Sequence, residues 1–497
     1  MRPRTRLLLL APAAAAAVVF GVLPAAASSP GSAPGAAAPA PGSPAYLLRD
    51  AQNVAAAYGR QTGPGGQLTP TYLTALAQQI GPAYEKQLLA QAATPTHPVL
   101  DPGQLVPGWN VGNPLRAGWN GTRGHITPIS YTNRYGALIR GDLFTPLAGA
   151  HDPYTGAALH APYPAVVITT GSIQGSSGMY WWAAEDLAER GYLVMTYDVQ
   201  GQGTSETLPH EGGSTLPFCN PAATPVPGET TGCPGVPFQQ ASNFVFGTED
   251  AISYLLSTPQ HPYGAGSYDP LWQQFDRSPD THTVTPGRTT RLAIVGHSLG
   301  ATAISYVQAV DPRVEVAVAF DKLTTSPGFT ALGAMRPVVP SLGVQSEYFL
   351  NPTPYYLDGD TPSSPEQAPD PAREEKTGFD GWRAAGVDSM VIVPRASTHL
   401  EYTDIPLALP ASRYGQDVAS AYTQDWLGYY LKHQASAYRA LLAPTIHYLE
   451  PTGNGRWSPV TLNRNDNLSI YFCSGYAVHA PGGRAVSNLD LNDRGCR

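Results

Sequence analysis

The stretch RLAIVGHSLGATAIS, residues 291–305, joins an apolar run to a helix-forming one through Gly-His-Ser-Leu-Gly. LAIV is continuously apolar, as a strand buried on both faces is. Ala301 and Ala303 let a helix begin close behind it. Gly296 and Gly300 flank Ser298, and a side chain at either position would meet the neighbouring strand or helix if the turn is sharp. A G-x-S-x-G at such a strand-to-helix turn lifts the serine oxygen above the sheet, and the helix N-terminus favours negative charge near it. The pentapeptide alone is weak evidence in a glycine-rich chain. Its place between a strand and a helix makes Ser298 a candidate nucleophile rather than a turn serine.

Working outward, the chain alternates. ITPISYTNRYGALIRGDLFTP (126–146) reads as a strand hairpin. YPAVVITTG, YLVMTYD, RLAIVG, VEVAVAFD, VVPSLGVQ and DSMVIVPRAS read as strands. YWWAAEDLAERG, GTEDAISYLLSTP, GATAISYVQAV and GQDVASAYTQDWLGYYLKHQ read as helices. This order predicts an α/β fold: a mostly parallel sheet flanked by helices, with antiparallel strands at one edge. Two irregular inserts, 205–243 and 350–372, follow strand ends, where an open α/β sheet places its ligands. Upstream, 45–125 carries two helices expected to pack on the core, and 436–497 is a C-terminal extension. The catalytic region is therefore expected over 126–435.

The 497 residues are 42% apolar and only 13% charged, with net charge −8 and no basic cluster. Nucleic acid is excluded as a partner, because phosphate binding needs concentrated positive charge. Arg2, Arg4 and Arg6, then LLLLAPAAAAAVVFGVL, then Ala25 and Ala27 spell a secretory signal peptide over 1–27, cleaved near Ala27. Residues 28–44 are a Pro/Ala/Ser linker. No later run suits a membrane span. The expected product is secreted, and its four cysteines fit an oxidising compartment. The two local pairings, Cys219–Cys233 and Cys473–Cys496, are the simplest. No CxxC-like spacing with nearby histidines suggests a metal, and no loop completes a nucleotide-binding motif, so neither metal nor cofactor is expected.

Several motifs in order make the chain resemble the α/β-hydrolase superfamily, in its secreted bacterial esterase/lipase-like form, over about 126–433. VVITTGSIQG stands where that family keeps its first oxyanion-hole loop. YDVQGQGTS, 197–205, matches its D-x-x-G-x-G-x-S turn, and GHSLG and RASTHLEY follow. The resemblance implies a triad in the order Ser, acid, His. His399, after the last predicted parallel strand, is the expected base. The acid follows the strand before the histidine strand, giving Glu347, or one strand earlier, giving Asp321; Glu347 is favoured. The Leu299 amide and one from the loop after VVITT, at Ser172 or Ile173, would hold an oxyanion.

Tyr180, Trp181 and Trp182 follow the oxyanion loop, and Tyr348, Phe349 and Tyr355 follow Glu347. The first three are expected to floor an apolar substrate pocket, bordered by the two Pro-rich inserts as a rigid rim. The implied reaction is hydrolysis of a small-molecule or polymeric carboxylic ester. Amide hydrolysis and acyl transfer use the same fold, and a non-catalytic binding module would have no need of the serine, histidine and acid together.

Overall fold

In the computed structural model, which describes residues 39–93, 109–172, 175–206, 241–264, 266–325, 335–355, 366–371, 377–405, 412 and 414–496, the predicted alternation forms one large sheet. β1 (Gly124–Thr132) and β2 (Leu138–Pro146) are the antiparallel hairpin, and β2 pairs antiparallel with β4. β3 (Ala165–Thr169), β4 (Leu193–Tyr197), β5 (Leu292–His297), β6 (Val316–Phe320), β7 (Ser341–Val344) and β8 (Ser389–Ile392) run parallel. β9 (Thr445–Gly453) and β10 (Arg456–Asn463) form a separate hairpin. β11 (Gly475–His479) and β12 (Ala485–Asn488) add to the main sheet beyond β8. The ten-stranded order is β1-β2-β4-β3-β5-β6-β7-β8-β11-β12. Two of the four strands in what reads in sequence as an appended tail are thus part of the main sheet.

The parallel strands are buried at every position because both faces are covered, and most of their residues are apolar. Val166, Ile168, Val295 and Val318 face one core, with Trp182 and Leu187 from α3 (Trp181–Glu189) and Val418 and Trp426 from α7 (Gly415–Tyr430). Ala165, Val167, Ile294 and Ala317 face the other, with Phe244 and Ile252 from α4 (Ala241–Leu255) and Ile304 and Val307 from α5 (Leu299–Val310). Alternate residues of one strand therefore anchor helices on opposite faces, as the period of two requires. α6 (Thr377–Ala384) and α8 (Ala435–Leu442) complete the helices that follow the elbow.

α1 (Pro44–Gly59) and α2 (Pro70–Ala92) are the two upstream helices. Ser43 caps α1 by accepting from the Tyr46 N–H at 3.2 Å, with Pro44 in the first turn where its missing N–H costs nothing. Among the described residues no helix is long and apolar enough to cross a membrane.

Candidate active site

The sheet register brings the site together. His297 of β5 pairs with Phe320 of β6, and Phe320 pairs with Val344 of β7. The next residues, Ser298 and Asp321, therefore leave adjacent strands at the same level. Ser298 has φ 55° and ψ −123°, and α5 starts immediately after it. A Cβ at Gly296 would collide with the Gly300 carbonyl, and one at Gly300 with the Thr170 carbonyl. Only glycine fits either place, which is the packing anticipated for the sharp turn. Ser298, Asp321 (φ 38°) and Ala396 (φ 59°) are non-glycine residues in the left-handed region, and each lies just past a parallel strand. Backbone strain held at strand ends that converge on one point is a mark of a functional site.

His399 follows β8 in a 3₁₀ turn, His399–Tyr402. Its Nε2 lies 3.0 Å from Ser298 Oγ, and its Nδ1 lies 2.5 Å from Asp321 Oδ2. Asp321 also accepts from Ser346, through the hydroxyl at 2.6 Å and the N–H at 3.2 Å. Burial opposes ionisation of Asp321, but the His399 bond and charge and the Ser346 bonds outweigh it. Its carboxyl is lowered to about 2.

Glu347, the acid favoured from the sequence, is not brought to His399. It lies three residues past the register row, whereas Asp321 lies one past it, and its side chain turns into the protein. There the carboxylate accepts from Ala396 N–H (2.6 Å), Ser469 Oγ–H (2.6 Å), Ile470 N–H (2.9 Å) and the Asn53 side-chain amide. It ties α1, the loop before His399 and the C-terminal extension together. Ser346 carried no sequence signal, because its role exists only once β7 lies beside β6.

His297 is fully enclosed and its ring bridges the site. Tyr180 accepts from the Gly171 N–H at 2.9 Å, and its hydroxyl lies 2.8 Å from His297 Nδ1. His297 Nε2 lies 2.9 Å from the His399 carbonyl, which can only accept. That fixes the tautomer: Nε2 carries the hydrogen, and Tyr180 donates to Nδ1. Burial, and then the neighbouring His399, lower His297 to about 3. It stays neutral and serves as a fixed link between the elbow, the histidine loop and the loop after β3.

That loop is held from a third side. Gln202 donates to the Gly171 carbonyl and accepts from the Gly175 N–H, both at 3.0 Å. Asp198 accepts from Ser177 N–H (2.6 Å), Thr204 N–H (2.6 Å) and Thr204 Oγ1–H (2.8 Å). The D-x-x-G-x-G-x-S turn is thus a clamp on the loop that carries Ser172. A Cβ at Gly171 would stand 3.2 Å from that of Ser298, so this loop passes directly beside the serine. Ile173 lies outside the described residues. Leu299 opens α5, where helical N–H groups have no acceptor within the helix.

The expected pocket floor is corrected. Tyr180 and Trp182 are 1% and 0% exposed. Tyr180 supports the loop, and Trp182 donates to the Tyr402 carbonyl at 3.1 Å. Trp181 is half-buried against Phe144. Tyr348 and Tyr355 are buried with Tyr471 and Phe472 in a core of their own. The aromatic residue that does border the histidine is Phe349, 51% exposed with its ring 5.2 Å from that of His399.

No protein-family model matches the chain, and no curated protein matches it.

Cys473 and Cys496 form a disulfide, with Cys473 buried, and this pairing agrees with the local pairing expected. Cys219 and Cys233, the signal peptide expected over 1–27, residues 207–240 of the first insert and residues 356–365 and 372 of the second lie outside the described residues.

The fold also carries a stability signature. Burial pushes Asp269 and Glu401 up to about 7 and Asp404 up to about 6. Unfolded carboxyls release their protons near 4. Between those values the folded state binds more protons, so stability is lost as pH rises through the folded pKa values. His297 acts the other way, but only between about 3 and the unfolded histidine value of about 6.5. Above that the carboxyls act without it. Tm is expected to fall between about pH 5 and 7, where the raised carboxyls outweigh the one histidine, while above 7 Lys432, lowered to about 7 by burial, opposes any further fall; calorimetry of wild type and Glu401→Gln checks this. A Tm that climbs over the interval would contradict it.

Proposed function

We propose that the chain is a secreted serine hydrolase of the α/β-hydrolase kind, cleaving carboxylic esters through an acyl-enzyme. The observation that carries this reading is the chain Ser298 Oγ–His399–Asp321, at 3.0 and 2.5 Å, with the serine in a strained strand-to-helix turn. In this reading His399 takes the proton from Ser298 Oγ as the oxygen attacks the ester carbonyl. Asp321, ionised and held by Ser346, fixes the His399 tautomer and balances the imidazolium. The Leu299 and Ser172 amides hold the tetrahedral oxyanion. His399 returns the proton to the leaving alcohol, then activates water to release the acid. Every proton moves between named side chains and substrate, so neither a metal nor a cofactor enters a step.

Phe349 offers an exposed apolar ring beside the base and suits an apolar acyl or alkoxy group. The Cys473–Cys496 bond fits an oxidising compartment, as does the leader read from the sequence.

The test is covalent labelling by a fluorophosphonate, then p-nitrophenyl esters of graded acyl length against peptide anilides. Labelling lost in Ser298→Ala, with turnover of esters above anilides, is the expected result. Absence of labelling in the wild type would sink the proposal. A preference for anilides would move it to an amidase.

Tyr180→Phe probes the link behind the oxyanion loop. It leaves the Gly171 N–H and His297 Nδ1 without their shared partner. A displacement of about 1 Å at a reacting geometry can cost roughly 100-fold. We expect kcat on an ester to fall roughly 10- to 100-fold with KM little changed. A lower Tm at unchanged kcat would reduce Tyr180 to packing.

A further inference from the structure

We propose that Asp280, His282 and His433 form a binding site for one divalent transition-metal ion of the zinc type, remote from Ser298. Asp280, His282 and His433 each offer one ligand atom, and these atoms all lie within 4.8 Å of one another. Asp280 is 1% exposed; its Oδ2 lies 2.6 Å from His433 Nε2, and its other oxygen accepts from the His282 N–H at 2.7 Å. The two imidazole rings stand 5.3 Å apart. Thr281 Oγ1 lies 3.2 Å from His282 Nδ1, which leaves Nε2 of that exposed ring as its ligating atom. Two imidazoles and a carboxylate are the donor set that zinc takes, at about 2.0–2.2 Å each in tetrahedral geometry. The exposed His282 ring is free to close the small remaining distance.

An independent observation points to the same ion. Glu315 is 2% exposed and lies in hydrogen-bonding reach of the Thr283 side chain and of the Asp280 carboxyl. A carboxyl enclosed beside a second carboxylate is costly. Arg291 is the nearby cation, but it stands 3.8 Å from Asp280 and is shared with Asp276 at 3.3 Å. One dication would offset the charge of the two enclosed carboxylates.

The site's role follows from its place. Glu315 precedes β6, and its N–H bonds the Leu292 carbonyl at the start of β5. Ser298 lies at the other end of β5, about 20 Å away at the rise of an extended strand. The ion would pin the long connection before β5 to the end of α7, so it is structural. The pattern escaped the sequence because His433 is 153 positions from Asp280, far outside any local ligand spacing.

The test uses the full chain without a histidine tag, stripped by chelator and reloaded with zinc chloride. We expect one zinc per chain by elemental analysis and a zinc-dependent rise in Tm. His282→Ala, an exposed substitution that spares the fold, should weaken zinc binding at least roughly tenfold and remove the rise. His447→Ala, an exposed histidine outside the cluster, should change neither. Sub-stoichiometric zinc in the reloaded wild type, or equal retention by His282→Ala, overturns the proposal. The readouts are metal content and Tm, so the outcome does not depend on the hydrolase reading.

Discussion

Ser298→Ala and His399→Ala are each expected to lower kcat on a p-nitrophenyl ester by roughly 10⁴-fold or more, the loss seen when one member of such a unit is removed. The double variant should be hardly worse than either single, because nucleophile and base act as one. What remains is the contribution of oxyanion amides and binding. Asp321→Asn should fall in the same range, about 10⁴-fold. An asparagine keeps the shape but offers His399 Nδ1 an uncharged partner. It no longer fixes the tautomer, and it cannot balance the imidazolium. The Ser346 hydroxyl, which gives its hydrogen to Asp321 at 2.6 Å, would keep the variant side chain in place, so the loss is electronic. Multiplying losses in the double variant, or full activity in Asp321→Asn, would break the assignment.

The strands, the order of helices and the turn at Ser298 were legible because they are local. Apolar runs, amphipathic periods and two glycines within five residues each carry their own physics. His399 was legible because its strand was. The acid was not. Choosing between Asp321 and Glu347 requires the register of β6 against β5 and of β7 against β6, which is set by packing across the sheet. Chain order says only that both follow strands. The C-terminal extension was misread for a related reason. β11 is a short strand of five residues, GYAVH, and what makes it part of the main sheet is β8 beside it. Tyr180 and Trp182 were assigned to a pocket on proximity in sequence, and a 3₁₀ turn and the helix after it, packed on the sheet, turn them inward.

Glu347→Ala should cost roughly 3–5 kcal/mol of folding stability, the range for removing one side of a buried charged network. Glu347 is 1% exposed, and all four of its partners are donors: the Asn53 amide, the Ala396 N–H, the Ser469 hydroxyl and the Ile470 N–H. Alanine leaves each of them enclosed without an acceptor, at about 1–3 kcal/mol for a lost partner where no water enters. The isosteric Glu347→Gln is a sharper probe. Its NH₂ must face two of those donors whichever way the amide turns, so it should also destabilise, though it fills the same space. The network also holds Ala396 in its left-handed conformation, three residues before His399. Function should nevertheless survive in the molecules that remain folded, because His399 keeps Asp321. The expected pattern is therefore the reverse of Asp321→Asn: a large fall in the denaturation midpoint for Glu347→Gln, with kcat at low temperature close to wild type. Denaturant unfolding paired with turnover of one ester measures both. A stable Glu347→Gln with kcat down about 10⁴-fold would return the acid to β7.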